Sequence, residues 1–566
     1  MGIFDNTRVF NGRCVGISNE GAGVVRIEEK GAKEDGMKIF VADMLPGEKG
    51  KVRITEKKNN MTYGEKAGDV APSKSRVQPI CPEFPKCGGC QILHARYESQ
   101  LQMKESMVRN CLVRMGRFPE DEIRACMERI LPSQDQFYYR NQIQYPVEYS
   151  REKRCVNIGL YERGSHKIVE HQKCFLADPA AEIVRKVSQI FFSSLSNMEA
   201  AKALRQVVVR TGLMSKEMMV IFVISKQVTF DVEEFVTSCN EALKEAKNGM
   251  RLISIWTEER PEGIKWKNPK GVWTNIWGET TIREFLANRV FRISPDSFFQ
   301  VNTKQAVVLY DKVKEYLRYD GFLPRVLLDL YCGTGSIGIY CSDACHHLIG
   351  IESVESAVID ARNNARSNFI EDTEFIFGKA EDYDFGGMMP DAVVIDPPRK
   401  GCDEKLLTKL LDLGPTRIVY VSCNPATLAR DLQRLFQLQQ GSGVKYGIKK
   451  ICPVDMFPGT THVETVVLLS KENISTKHVR VEFNLEEMDM SGFKVGATYE
   501  EIIAWVQKKY GFHVTHLNIA QVKRKYGIIE RQNYNFPKTD GSRQPQCTPE
   551  KERAIVDALQ HYKMIV

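Results

Sequence analysis

Between residues 297 and 471 the chain alternates short apolar runs with amphipathic stretches at helical spacing. Val326-Leu-Leu-Asp-Leu330, His347-Leu-Ile-Gly-Ile351, Asp391-Ala-Val-Val-Ile395 and Arg417-Ile-Val-Tyr-Val421 are apolar at nearly every position, as strands buried on both faces must be. Gly- or Pro-rich turns follow them, so the rhythm predicts βαβ units and a doubly wound parallel sheet. Residues 7–58 read differently. Cys14-Val-Gly-Ile-Ser, Gly23-Val-Val-Arg-Ile and Ile39-Phe-Val-Ala, separated by turns such as Leu45-Pro-Gly-Glu-Lys49, predict a small five-stranded barrel. The polar residues 57–77 read as a linker. Residues 96–288 mix a helical pattern at 97–117 with the apolar strands Gln206-Val-Val-Val-Arg210 and Met218-Met-Val-Ile-Phe-Val-Ile224, an α+β arrangement. Beyond residue 471 the pattern predicts an amphipathic helix at 499–509, a solvated Lys523-Arg-Lys525 between helices, a loose segment at 532–548 and a last helix. Four units result: a barrel (1–68), a central α+β domain (69–296), an α/β domain (297–471) and a small, mainly helical extension (472–566).

Composition narrows the function classes. No apolar run approaches the roughly 18 residues that cross a bilayer, so no membrane span is expected. The start, Met1-Gly-Ile-Phe-Asp, lacks a basic segment followed by an apolar one, so a cytoplasmic protein is expected. Lys plus Arg exceeds Asp plus Glu by 79 to 72, a mild excess that permits nucleic-acid binding without demanding it. The 16 cysteines are too sparse for a disulfide scaffold and are expected to be core residues, metal ligands or nucleophiles.

Three strand-to-helix turns carry chemistry. Asp329-Leu-Tyr-Cys-Gly-Thr-Gly-Ser-Ile-Gly338 opens a helix after a buried strand, and its glycines let backbone approach a ligand closely. A tight connection with no ligand is the plain alternative, but Glu352, about twenty residues on, ends the next strand where an acid accepts ribose hydroxyls. The turn lacks the full dinucleotide fingerprint and looks like the S-adenosylmethionine loop of Rossmann-like methyltransferases. Asp396-Pro-Pro-Arg-Lys-Gly401 reaches the same sheet edge, with Arg399 where amino-directed methyltransferases carry an aromatic. Val421-Ser-Cys423-Asn-Pro425 then puts a thiol at the crevice mouth. Carbon 5 of uracil is a poor nucleophile, and a thiolate adding to carbon 6 makes it a good one. A free thiol near pKa ~8.5 is mostly protonated at neutral pH, so Arg399, Arg430 or the N-terminus of a helix at 426–436 is expected to lower it. Removing the carbon 5 proton needs a base, and Glu464 in His462-Val-Glu464 is the candidate, with His462 its rival.

Taken together, Phe298-Phe-Gln-Val-Asn302, Asp329-Leu-Tyr-Cys-Gly333, Asp396-Pro-Pro-Arg399, Ser422-Cys-Asn-Pro425 and His462-Val-Glu464 closely resemble the uridine-5 RNA methyltransferase family over residues 8 to 471. The resemblance implies that Gln300, Tyr331, Glu352 and Asp396 contact S-adenosylmethionine, that Cys423 is the nucleophile and that Glu464 is the base. Cys81, Cys87, Cys90 and the distant Cys174 supply four thiolates, enough for zinc or for an iron–sulfur cluster, and their spacing alone does not choose. The first gap differs from that of radical enzymes. Resemblance to the ribosomal-RNA branch, including Cys87-Gly-Gly-Cys-Gln91, implies a 4Fe-4S cluster. The N-terminal segment resembles the RNA-binding TRAM barrel through Gly21-Ala-Gly-Val-Val25, Phe40-Val-Ala and Leu45-Pro-Gly-Glu48. Tyr139-Arg-Asn-Gln142 and Tyr161-Glu-Arg-Gly-Ser165 interleave rings and cations as RNA-stacking surfaces do, while Phe298 and Phe299 read as core. The expectation is a monomeric enzyme methylating carbon 5 of uridine in 23S, large-subunit ribosomal RNA, with no DNA or membrane partner. Transfer RNA is the alternative substrate, and a non-catalytic iron–sulfur RNA-binding module the alternative class. The extension departs from the family pattern and holds nothing catalytic.

Overall fold

A computed structural model describes residues 8–59, 61–260, 271–472, 497–526, 547–562 and 564–565. The chain divides into two compact units, residues 1–474 and 475–566.

The first unit begins with a closed barrel in which Val9–Ile17, Gly23–Ile27, Lys38–Val41, Met61–Ala71 and Lys49–Lys58 neighbour one another in that order. Alternating residues Phe10, Cys14, Val25, Ile27, Ile39, Val41, Val52 and Ile54 fill it. The fifth strand falls in the stretch read as a linker. Only Thr62 of that strand is buried, so the strand carries almost no apolar signal. Backbone pairing with Lys49–Lys58 and Lys38–Val41 recruits it, because closing the barrel leaves no strand edge open.

The central sheet has six strands ordered Val272–Gly278, Arg251–Glu259, Glu217–Ile224, Leu204–Gly212, Gln142–Ser150 and Cys155–Ile158. One face packs Val207, Val209 and Phe222 with Phe191, Phe192 and Phe235 of the helices Pro179–Phe192 and Val232–Glu245. Val208, Ile221 and Val223 on the other share a core with Leu309 and Tyr310 of the helix Thr303–Leu317. Burial on both faces is why Met218 to Ile224 is apolar throughout.

The seven-stranded sheet runs Thr373–Phe377, His347–Glu352, Val326–Leu330, Ala392–Ile395, Arg417–Ser422, Glu464–Lys471, Tyr446–Val454. The first five are parallel, and Glu464–Lys471 lies antiparallel to both its neighbours. Strand order reverses at Val326–Leu330 and Ala392–Ile395, so a crevice opens at their carboxyl ends. The early helix Tyr97–Arg114 joins this core: Val108, Cys111 and Leu112 cluster with Leu428, Leu432 and Leu435 of the helix Pro425–Leu438.

In the second unit Tyr499–Tyr510, His516–Lys525 and Pro549–His561 enclose Ile502, Val506, Val514, Ile519, Val522, Ile555 and Leu559. Lys523, Arg524 and Lys525 lie within a helix rather than between helices, because Ile519 and Val522 bury one face and Thr515 caps its start. Arg524 and Lys525 are exposed, as a solvated run would be, with Lys525 paired to Glu552, whereas Lys523 is buried over the Tyr499 ring. Of the segment 532–548, all but Cys547 and Thr548 lies outside the described residues. Among the described residues no helix is long and apolar enough to cross a membrane.

Candidate active site

The Gly-rich turn is held by its own neighbours. Asp329 is fully buried and its Oδ2 accepts from Gly338 N at 2.9 Å. A Cβ on Gly338 would lie 2.8 Å from that oxygen and from Leu348 Cδ1, so only glycine fits. Gly333 has φ +55° with open space where a side chain would stand, the gap a ligand needs to meet backbone. Its N–H donates to Glu352 Oε2 at 3.1 Å, and Val354 N donates to Glu352 Oε1 at 2.8 Å, fixing the acid beside the turn. Tyr331 adopts φ +62° and donates from its hydroxyl to Glu381 at 2.8 Å. Gln300 is buried, its carbonyl accepting from Asn141 Nδ2 at 2.9 Å. Asp396 follows Ala392–Ile395, and burial pushes its carboxyl up to about 7. Burial, then the charges of Asp396 and Glu352, push Asp329 up to about 8 against the Gly338 hydrogen bond; its Oδ1 has no partner.

Cys423 follows the strand Arg417–Ser422, and Asn424 caps the next helix by accepting from Ala426 N at 3.1 Å. Ser422 pairs with Thr465, so one further step of the antiparallel register brings Cys423 beside Glu464. The expected lowering of the thiol pKa does not occur. Burial first, then the negative charges of Glu464 and Asp396, push Cys423 up to about 12, and Arg399 only partly opposes them. Arg430 is spent elsewhere, donating to Asp431 at 2.7 Å and to the Lys400 carbonyl at 2.6 Å. Glu464 is buried, and burial followed by the Asp396 charge raises it to about 8, again with Arg399 opposing. His462 moves the other way, to about 4, through burial and then the cations Arg399, Arg140 and Lys104. Of the two rival bases the carboxylate therefore binds a proton far more strongly.

Two readings of aromatics change. Tyr139 is buried and donates to the Pro458 carbonyl at 3.0 Å, so it has no face for a base. Phe299 packs on Phe291 in the core, whereas Phe298 is 65% exposed and free to meet a ligand. Sequence inspection gave no hint of Tyr97, Gln100 and Lys104, which bond to the loop before Glu464. Their periodic spacing on a helix was visible; their partners, more than 350 residues away, were not.

Cys81, Cys87, Cys90 and Cys174 line one small cavity of about 30 Å³, closed by Phe84, Leu93 and Leu176. Cys90 is raised by burial and then by the other three thiols. Gly89 N donates to Cys87 Sγ at 3.4 Å. Among the described residues no three His, Cys, Asp or Glu side chains are grouped closely enough to hold a metal ion.

The strand order and Gly-rich first turn define a doubly wound α/β fold with its crevice at the switch point. Sequence comparison supplies the family: the description tRNA (uracil-5-)-methyltransferase matches residues 96–472, and the chain belongs to that family of RNA methyltransferases. Two relatives, each named an uncharacterized RNA methyltransferase, are a Staphylococcus epidermidis protein (34% identical, 83% of this chain, 99% of its own) and one from Clostridium tetani (33%, 81% and 96%). Among solved structures, a Pyrococcus abyssi tRNA (uracil-54, C5)-methyltransferase in complex with S-adenosyl-L-homocysteine matches at TM-score 0.60 and 27% identity, over 81% of this chain and 99% of that one.

Proposed function

We propose that the chain transfers a methyl group from S-adenosylmethionine to carbon 5 of uridine in large-subunit ribosomal RNA. The observation that carries this reading is the placement of Cys423, Asp396 and Glu464 within one another's field at the crevice, each shifted toward its protonated form. The open backbone at Gly333, with Glu352 locked beside it, suits a donor held by Gln300, Tyr331, Glu352 and Asp396. When bound, the donor supplies a methyl group on a sulfonium and leaves as a thioether.

Cys423 gives its proton to the Asp396 carboxylate, leaving Glu464 unprotonated for the later step, and adds through Sγ to carbon 6; the electron pair moves to carbon 5, which takes the methyl from the sulfonium. Arg399, exposed at the crevice, offsets the negative charge that builds on sulfur. Glu464 then accepts the carbon 5 proton, the carbon 5–carbon 6 double bond re-forms, and the bond to Sγ breaks to return Cys423 as thiolate. The raised affinity of Glu464 for protons suits it to that acceptance.

Cys81, Cys87, Cys90 and Cys174 would hold a 4Fe-4S cluster. Four thiols lining one cavity would suit a cluster, and the Cys87-Gly-Gly-Cys-Gln91 resemblance, rather than the thiol arrangement, is what favours iron over zinc. About four irons per anaerobically purified chain, reduced in Cys174→Ala, is the expected result; stoichiometric zinc overturns it.

A second substrate, transfer RNA, is favoured by the match to the Pyrococcus abyssi enzyme over nearly all of that protein's length. Nucleoside mass spectrometry for 5-methyluridine separates the readings, using S-adenosylmethionine with unmodified large-subunit ribosomal RNA or bulk transfer RNA and Cys423→Ala as control. Product on ribosomal RNA alone is expected; product on transfer RNA alone moves the substrate. Product on neither, with iron and methyl donor bound, leaves an RNA-binding module.

A further inference from the structure

Residues 455–463 lead from the strand Tyr446–Val454 to Glu464, and they are fastened mainly from outside. Tyr97, Gln100 and Lys104, spaced three and four apart, share one face of the helix Tyr97–Arg114. Lys104 and Asp455 are both fully buried and meet at 2.5 Å. Lys104 Nζ also donates to the Phe457 carbonyl at 3.0 Å, and the Tyr97 hydroxyl donates to Asp455 Oδ2 at 2.9 Å while accepting from Ser133 N. Gln100 Oε1 accepts from Gly459 N at 2.8 Å. The Gly459 carbonyl accepts from Gln91 and Ile92 N, both at 3.1 Å. Glu464 opens the strand that pairs with Cys423's own strand and with Val454, so what these outside contacts fix is the loop 455–463 entering it, while Cys423 leaves its strand into the Asn424 cap.

A buried ion pair is a costly anchor, because both charges lose their water, so stability alone does not explain it; apolar residues would hold a loop as well. We propose that Lys104 is a positioning residue for the release step: through Asp455, with Tyr97 and Gln100 alongside, it fixes the loop that hands the chain to Glu464, and so fixes the base over the carbon 5 proton. The proposal rests on the addition–elimination reading above. Loosening the clamp displaces the base and leaves the nucleophile in place, so addition and methyl transfer continue while proton removal and loss of Sγ slow.

The test is single-turnover rapid quench with full-length enzyme, S-adenosylmethionine and the unmodified ribosomal and transfer RNAs, reading denaturation-stable RNA–protein adduct and released 5-methyluridine separately. In Lys104→Met/Asp455→Leu both charges go, which avoids stranding one of them in the interior. Adduct is expected to form within twofold of the wild-type rate and to be released at least tenfold more slowly. Gln100→Leu, which keeps the ion pair and deletes the bonds to Gly459 N and to the Ala95 carbonyl, is expected to slow release at least threefold while adduct still forms within twofold of the wild-type rate. Wild-type release in Gln100→Leu, or adduct formation falling as far as release in either variant, overturns the proposal. Absence of adduct and product in the wild type instead overturns the catalytic reading on which it rests.

Discussion

The Gly-rich turn after Val326–Leu330 and the loop before Glu464 serve one sheet edge and are held in opposite ways. The turn is tied within itself and to the next strand: Gly338 to Asp329, 9 residues apart, and Gly333 to Glu352, 19 apart. The loop is tied to Lys104, 351 residues away, to Gln100, 359 away, to Tyr139 through Pro458, and to the barrel, where Thr461 donates to the Asn19 carbonyl across 442 positions. The side of the crevice suited to a methyl donor is thus assembled by local chain geometry. The loop entering the strand of Glu464 takes much of its fastening from the barrel, the cysteine loop and the early helix, although Glu464 itself also pairs within the sheet. Changes far from the crevice should therefore act on the base before they act on donor binding.

The sharpest tests replace the proposed nucleophile and base. Cys423→Ala is expected to abolish both turnover and adduct, while Glu464→Gln abolishes turnover and accumulates adduct, both read by denaturing gels and nucleoside analysis. The next largest effect is on stability. Glu464 binds its proton more tightly in the folded chain, near 8 against an ordinary 4.5, so the folded state holds more protons between those values and loses stability as pH rises through them. Glu464→Gln should remove that decline, leaving the variant more stable than wild type by a few kcal/mol above pH 8 in urea unfolding curves. A pair of glycines then sets the two regions against each other. Gly338→Ala forces a Cβ to 2.8 Å from Asp329 and Leu348, an overpacking of roughly 1–3 kcal/mol that should also weaken donor binding in calorimetry. Gly459→Ala, at φ +79° and 3.3 Å from Leu93, should cost about 1–2 kcal/mol, leave donor affinity intact and slow adduct release. Smallest is Asp329→Asn: with the carboxyl already raised to about 8 and its Oδ2 bond to Gly338 preserved, unfolding free energy at pH 7 should change by only about 1 kcal/mol.

The parallel strands, the Gly-rich turn and the place of Cys423 at a strand end are legible in the chain because each depends on neighbours in sequence. Strands buried on both faces must be apolar at every position, a Gly-rich turn must follow where backbone meets ligand, and a residue ending such a strand must face the crevice. The strand Met61–Ala71 was not readable, because backbone pairing rather than side-chain burial holds it, and its composition is that of a linker. Nor was the burial of Tyr139, which looks like a stacking residue until the Pro458 carbonyl is found at its hydroxyl. The acidity of the site was read with the wrong sign. Arg399 and Arg430 stand close to Cys423 in the motif pattern, but desolvation and the charges of Glu464 and Asp396 dominate, and both are set by what packs around the thiol. Sequence alone therefore determined which strands lead to the crevice and where Cys423, Asp396 and Glu464 stand relative to their ends. Tertiary structure alone decided how tightly those groups hold their protons and what packs on the loop before Glu464, because burial and the fields of Asp396 and Glu464 arise only when separate strands meet, and the Lys104–Asp455 pair joins segments 351 residues apart.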